Sequence, residues 1–249
     1  MTLSRAFVFT LFVALSLGCV SGSAGAQSGP LLWHSENLQL LRGDNYKVGD
    51  EGRSIVTFEH ASRWSWGDVF LFTDFTAQDN GERNLYGELI PRLSLSALSG
   101  REVSGDGLIR DVLLVGNYEF GDQGLERYLA GLGVDFNVDG FRFLRVSGLH
   151  RDDPTRAGST WQVTIAWNRP FEIGGQSFLA EGFADIAGAE GPGVENQLAV
   201  PRLLWNTHWI ESDNGQLFLG VEYQYWHNKF GIDGITENVA QLQLKWVWP

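Results

Sequence analysis

The sequence predicts an all-β protein, a single 12-stranded antiparallel transmembrane β-barrel, and three observations carry that expectation. Side chains alternate at period two over Arg53–Leu98: Val56, Phe58 and His60 alternate with Thr57 and Glu59, and Val69, Leu71, Thr73 and Phe75 alternate with Asp68, Phe70, Phe72 and Asp74. Successive strand residues point to opposite faces, so each segment has one face nearly free of charge and one that gathers carboxylates. After the first residues no run reaches the ~18 uninterrupted apolar residues of a spanning helix, so only a closed barrel could satisfy every backbone group in hydrocarbon. Tryptophan, present 10 times, stands at the ends of alternating segments (Trp64, Trp66, Trp161, Trp167, Trp246, Trp248), where the interfacial girdles of a barrel belong.

The chain opens with Arg5, an apolar run over Ala6–Leu17 and small residues ending in Ala24-Gly25-Ala26. This pattern predicts a secretory signal peptide over residues 1–26, removed on export, with residues 27–249 forming one barrel domain. Cys19, the only cysteine, falls inside the signal, so neither a disulfide framework nor a thiolate metal site is expected. A lipid-modified cysteine is the alternative, matched poorly because Ser16 stands where a large aliphatic residue is usual. The formal net charge of −12 becomes more negative once Arg5 is removed, which argues against nucleic acid as a partner.

Twelve short segments follow: Glu36–Gly43, Arg53–Ser62, Trp66–Thr76, Leu85–Leu98, Leu108–Phe120, Glu126–Asn137, Phe141–Arg151, Ser159–Arg169, Gln176–Ile186, Asn196–Asn206, Gln216–Asn228 and Asn238–Trp248. The first is the least regular. An even number puts both chain ends on one side, and about ten residues is the length of a tilted membrane crossing. Turn chemistry separates them: Asp79-Asn80-Gly81, Gly105-Asp106-Gly107, Asp139-Gly140, Gly174-Gly175 and Asp213-Asn214-Gly215. In Trp161–Asn168, Trp161, Val163, Ile165 and Trp167 are expected to face lipid, with Gln162, Thr164, Ala166 and Asn168 facing inward. In the last segment Ala240, Leu242, Leu244, Trp246 and Trp248 face one way while Gln241, Gln243 and Lys245 face the other. A secreted β-sandwich is the alternative; it would place aromatics mid-core rather than at strand ends.

Several fragments also resemble a known family. Thr57-x-Glu59-His60-Ala61, Gly67-Asp68 with Phe70, Phe72 and Asp74, and Tyr86-Gly87-Glu88-x-x-Pro91-Arg92-Leu93-Ser94 look like the nucleoside-specific channel-forming, Tsx-like porins, which include OmpK-type proteins. Trp33-His34-Ser35 and Gly43-Asp44-Asn45-Tyr46-Lys47 near the start, and Asn228-Lys229-Phe230-Gly231 near the end, extend the likeness over nearly all of residues 27–249. The resemblance implies a channel in the outer membrane of a Gram-negative bacterium that passes nucleosides by diffusion. It also implies loops that serve as a phage receptor, here Asp44–Gly52, Ala77–Asn84, Ala187–Glu195 and Lys229–Glu237.

If apolar faces meet lipid, the opposite faces line a lumen. Those positions carry Glu59, Asp68, Asp74, Glu88, Arg92, Asp111, Glu119, Arg127, Asp135, Arg145, Arg151, Glu181, Asp185, Glu222 and Lys245, interleaved with Phe70, Phe72, Tyr86, Phe183, Phe218 and Trp226. A ring beside a charge suits a nucleoside, whose base stacks for about 1–3 kcal/mol and whose ribose hydroxyls need polar partners. The candidate solute contacts are Glu59, Asp68, Phe70, Phe72, Asp74, Tyr86, Glu88, Arg92 and Phe183. The alternative role for each is packing of the barrel interior. His60-Ala61-Ser62 is reminiscent of the outer-membrane phospholipase, but Arg63-Trp64 follows where that motif has Asn-Gly, so no enzyme is expected. His34, His150, His208 and His227 lack metal-ligand spacing, Asp152-Asp153 is expected to be a solvated loop pair, and no cofactor is implied.

Overall fold

A computed structural model of the chain describes residues 30–100, 107–210 and 215–248. The expected signal peptide and Cys19 lie outside the described residues. Twelve strands form a closed antiparallel barrel in which each pairs with its sequence neighbours and the last pairs with the first. They are β1 (Leu31–Gly43), β2 (Arg53–Trp64), β3 (Gly67–Gln78), β4 (Arg83–Ser94), β5 (Ile109–Gly121) and β6 (Glu126–Phe136), then β7 (Phe143–Asp152), β8 (Thr160–Ile173), β9 (Gln176–Ala187), β10 (Asn196–Asn206), β11 (Gln216–His227) and β12 (Glu237–Trp248). Closure comes from eight residue pairs between β1 and β12, from Glu36 opposite Trp248 to Gly43 opposite Gln241. With no free edge, every strand exchanges its backbone hydrogen bonds on both sides.

The even strand number brings both ends of the described chain to one rim, here the terminal rim; the opposite one is the far rim. At the terminal rim Gly67 makes the tight β2–β3 connection, and a Cβ there would sit 1.9 Å from the Arg92 carbonyl oxygen. Only glycine admits that approach.

Register assigns the faces. Trp161, Val163, Ile165 and Trp167 point outward, and Gln162, Thr164, Ala166 and Asn168 share the inner face with Ala187, Asp185, Phe183 and Glu181 of β9, their cross-strand partners. The outer wall exposes Leu40, Leu132, Leu203, Val221 and Leu242, as a lipid-facing band should. The buried set is largely polar: Gln39, Gln241, Gln243 and Glu237 are almost wholly enclosed, alongside Leu204 and Val239, because the interior of this protein is the lumen.

Two elements depart from the pattern. The alternation over Leu85–Leu98 suggests an uninterrupted strand, yet β4 stops at Ser94 and a helix, α1 (Leu95–Ser99), follows. Ser94 Oγ accepts a hydrogen bond from Ala97 N at 3.0 Å while donating to Asp111, so a helix cap replaces the next ladder rung. The irregular first segment is part of a strand that begins five residues earlier, at Leu31, with a bulge against β2 between Leu31 and Trp33.

Candidate solute pathway

Every position expected on the inner face lies there, and the structure sorts these residues by partner. Nearest the terminal rim, Arg92 of β4 donates Nε and Nη2 to Asp68 of β3 at 2.7 and 2.6 Å, and Nη1 to Asp135 of β6 at 2.8 Å. Arg145 of β7 closes the group, 3.5 Å from Asp135. A bidentate guanidinium held by carboxylates on two strands is a rigid brace. It ties β3 to β6 across the intervening pair.

A second group spans the lumen. Arg202 of β10 donates to Glu222 of β11 at 2.5 Å and to Glu59 of β2 at 3.1 Å, and β2 and β10 are separated by three strands around the closed side. Lys245 of β12 donates to Glu181 of β9 at 2.6 Å and to Glu59 at 3.4 Å. Amides satisfy the remaining oxygens: Asn37 donates to Glu59 at 2.8 Å, Asn168 to Glu181 at 2.9 Å and Gln241 to Glu222 at 2.8 Å. A third group lies toward the far rim, where Arg127 and Arg151 donate to Glu119 at 2.9 and 3.1 Å. Arg127 also reaches Asp153 at 2.9 Å.

Asp153 therefore is not the solvated loop residue that the sequence suggests. It is 4% exposed and folds over the lumen, its backbone N donating to Glu190 at 2.8 Å. Burial acts to raise its carboxyl pKa, but hydrogen bonds from Thr155 and Arg127 outweigh that and hold it below the usual aspartate range. Other far-rim loops also turn inward. Tyr46 donates its hydroxyl to Gln241 at 2.6 Å, and Lys229 pairs with Glu237 while lying 4.8 Å from the Trp226 ring and 5.1 Å from the Phe230 ring. Burial pushes the Tyr46 hydroxyl up and the Lys229 ammonium down from their ordinary ranges. Parts of the loops expected to be displayed outward, including Tyr46, Glu190 and Lys229, are thus buried.

Asp111, at the terminal rim, accepts from Ser94, Ser96 and the Val112 backbone N–H and has no cation within 4.0 Å among the described residues. Asp74, Glu88 and Asp185, deeper in the lumen, are likewise without an ion-pair partner. Among the described residues none of them has a cationic side chain within 4.0 Å, and their partners are neutral donors: Thr57 to Asp74 at 2.5 Å, Tyr86 and Asn117 to Glu88 both at 2.7 Å, and Thr164 to Asp185 at 2.5 Å. Beside them runs a file of rings. Phe70 and Phe72 have centroids 6.1 Å apart, and Phe72 and Tyr86 5.8 Å. Phe183, on the β9 side, lies in register with Ala166 and Val200.

The nine candidates thus divide. Glu59, Asp68 and Arg92 belong to the braces; Phe70, Phe72, Asp74, Tyr86 and Glu88 form one continuous strip on β3 and β4; Phe183 stands on the β9 side. His60, facing outward, accepts or donates at Nδ1 to Glu36 Oε1 at 2.8 Å, and Ser62 Oγ accepts the Trp64 indole N–H at 2.9 Å.

A barrel whose inner wall is braced by ion pairs and keeps one strip of rings and unneutralised acids is built as a conduit. The model of the nucleoside-specific channel-forming protein family, Tsx, matches residues 31–245. The chain belongs to that family. It is a channel-forming β-barrel of the Gram-negative outer membrane. Among solved structures the KdgM porin is similar in fold, with a TM-score of 0.50 at 8% identity over 86% of this chain and 99% of that one. A KdgM porin in complex with disordered oligogalacturonate gives 0.49 at 9% identity over 86% and 98%, and the Acinetobacter baumannii outer membrane protein Omp33 gives 0.38 at 10% identity over 88% and 99%. No curated protein sequence matches the chain.

Sequence reasoning missed Arg202, the hub of the central brace. Its strand carries Leu198, Val200 and Leu204 on the inner face and Leu203 and Trp205 on the outer, so hydropathy does not reveal the parity. The one signal was the lone charge of that segment. The inward-turned Tyr46, Glu190 and Lys229 were also missed, because loop conformation has no periodicity to read.

Proposed function

We propose that this protein is a diffusion channel for nucleosides, with the terminal rim in the periplasm and residues 1–26 removed on export. The observation that carries the reading is the strip of Phe70, Phe72 and Tyr86 beside Asp74 and Glu88, in a lumen whose Arg92, Arg127, Arg145, Arg151, Arg202 and Lys245 are engaged with carboxylates. A nucleobase stacks on such rings at about 1–3 kcal/mol each, weakly enough to leave one for the next, and ribose hydroxyls donate to the carboxylate lone pairs that Thr57, Tyr86 and Asn117 leave open. Twelve strands enclose a lumen between the filled interior of about eight strands and the open channel of sixteen or more. The family description supplies the nucleoside; the wall chemistry independently favours a neutral ring-bearing solute over an anion.

A phosphate would approach unneutralised acids in a constriction of low dielectric, where repulsion is magnified. Uridine or adenosine should therefore swell proteoliposomes faster than the matching monophosphate at low salt, and added salt should narrow the difference. Replacing Asp74 with asparagine or Glu88 with glutamine should narrow it as well. Equal rates for nucleoside and monophosphate at low salt, or faster entry of the phosphate, would make this a general or anion-preferring porin.

A further inference from the structure

The lumen distributes its charges unevenly. Arg92, Arg127, Arg145, Arg151, Arg202 and Lys245 each have a carboxylate partner, so the cationic side of these groups is spent on the protein itself. Asp74, Glu88 and Asp185 have no cationic side chain within 4.0 Å among the described residues and accept only from neutral donors.

A second, independent feature stands at Glu88. Asn117, on β5, is 8% exposed; its Nδ2 donates to Glu88 Oε2 at 2.7 Å, and its Oδ1 is buried with no hydrogen-bond partner. The amide head therefore lies against the carboxylate with its acceptor left over. An orphaned buried acceptor costs about 1–3 kcal/mol, so such atoms normally mark a missing donor or cation. The surroundings offer further oxygen: the Tyr86 hydroxyl is 2.7 Å from Glu88 Oε1, and Asp185 lies within electrostatic reach of Glu88 across the lumen. Charges facing this point also include Glu119, itself held by Arg127 and Arg151.

We propose that Glu88 and Asn117 Oδ1 form a transit site for monovalent cations, and that the channel is cation-selective because of it. An all-oxygen donor set suits a hard cation. With one carboxylate, and no cluster of three or more acidic, histidine or cysteine ligands among the described residues, the site holds a monovalent ion loosely rather than a divalent ion tightly. Loose binding is what conduction requires, since the ion must leave as readily as it enters. The site shares Glu88 with the nucleoside reading but makes a different claim: it concerns ion selectivity set by Glu88 with Asn117 Oδ1, whereas nucleoside passage also needs the neighbouring rings.

The test is the reversal potential of the purified protein in planar bilayers under a tenfold KCl gradient. The wild-type potential is expected on the potassium side, with a K⁺ over Cl⁻ permeability ratio of about three to ten, the range a partly screened luminal charge produces. Glu88→Gln should bring the ratio toward unity. Asn117→Asp, which adds a carboxylate at the orphaned oxygen, should raise it by a similar factor; a gain cannot arise from misfolding. An unselective or chloride-selective wild type overturns the proposal. So does a ratio unchanged in Glu88→Gln, which would mean that the carboxyl carries a proton instead of attracting a cation. Swelling with uridine, measured on the same preparations, reports the nucleoside reading separately: its failure with selectivity intact would leave this site standing, and the reverse result would remove only the site.

Discussion

Replacing Arg202 with methionine tests whether the central ion pairs hold the barrel in shape. The guanidinium sits 2.5 Å from Glu222, 3.1 Å from Glu59 and 3.8 Å from Glu181, all of these side chains being at most 14% exposed. Methionine keeps most of the volume and removes the charge, leaving Lys245 alone beside Glu59 and Glu181, with Glu222 deprived of its cation. Breaking a buried pair from one side costs about 3–5 kcal/mol, because the abandoned carboxylate stays desolvated. A luminal site admits some water, so the lower end applies: about 3 kcal/mol. Urea unfolding of the barrel in lipid vesicles, followed by tryptophan fluorescence, would measure it. The double variant Arg202→Met with Glu222→Gln should recover a large part of the loss, since the amide needs no counter-charge. Equal stability of wild type and Arg202→Met would refute the reasoning, as would a double variant no better than the single.

Three further outcomes are expected. Val163→Arg puts a charge on the lipid face, at about 2–4 kcal/mol near the midplane, and should impair assembly, whereas Thr164→Arg should be tolerated; aqueous cysteine labelling that reaches position 163 and misses 164 would contradict the register. Phe72→Ala should weaken nucleoside block of single-channel current by roughly five- to thirtyfold, the equivalent of about 1–2 kcal/mol of stacking, while leaving urea stability within about 1 kcal/mol. Asp153, with its folded pKa held below the ordinary value, contributes stability that is full at neutral pH and is lost as pH falls through the carboxylate range. Proteolysis of the β7–β8 loop should accelerate below about pH 4 in the wild type and be fast at all pH values in Asp153→Asn; a wild-type profile flat down to pH 3 would contradict the assignment.

The wall of this barrel was legible because its code is local. A period of two names the face of each residue with no knowledge of its neighbours, so the inner positions from Glu59 to Lys245 and the outer row of Trp161, Val163, Ile165 and Trp167 could be read from short windows. Where a local signal competed, the period failed. Ser94 can either continue a strand or cap a helix, and its hydroxyl, placed between Ala97 N and Asp111, selected the cap. Asp153 lost its solvated character for a different reason: Arg127 and Glu190, from other parts of the chain, supply its partners.

The pairing inside the lumen was illegible because it joins strands far apart in sequence. Glu59 and Arg202 lie 143 positions apart, and Glu59 and Lys245 186, distances over which no spacing rule operates. Yet that pairing decides which of the inner charges matter to a solute. Before the partners are known, Glu59 and Glu88 are equivalent carboxylates on inward faces. In the structure Glu59 faces Arg202, Lys245 and Asn37, so a passing solute would have to break a brace to use it. Among the described residues Glu88 accepts only from Tyr86 and Asn117, and answering a solute there costs only the exchange of a neutral hydrogen bond. The argument extends to Asp74, held by Thr57, and to Asp185, held by Thr164. Selectivity in such a conduit follows from which acids the wall has left without a cation, and Asp74 and Glu88, next to the rings of Phe72 and Tyr86, with Asp185 on β9, are where a permeating molecule meets the protein at least cost.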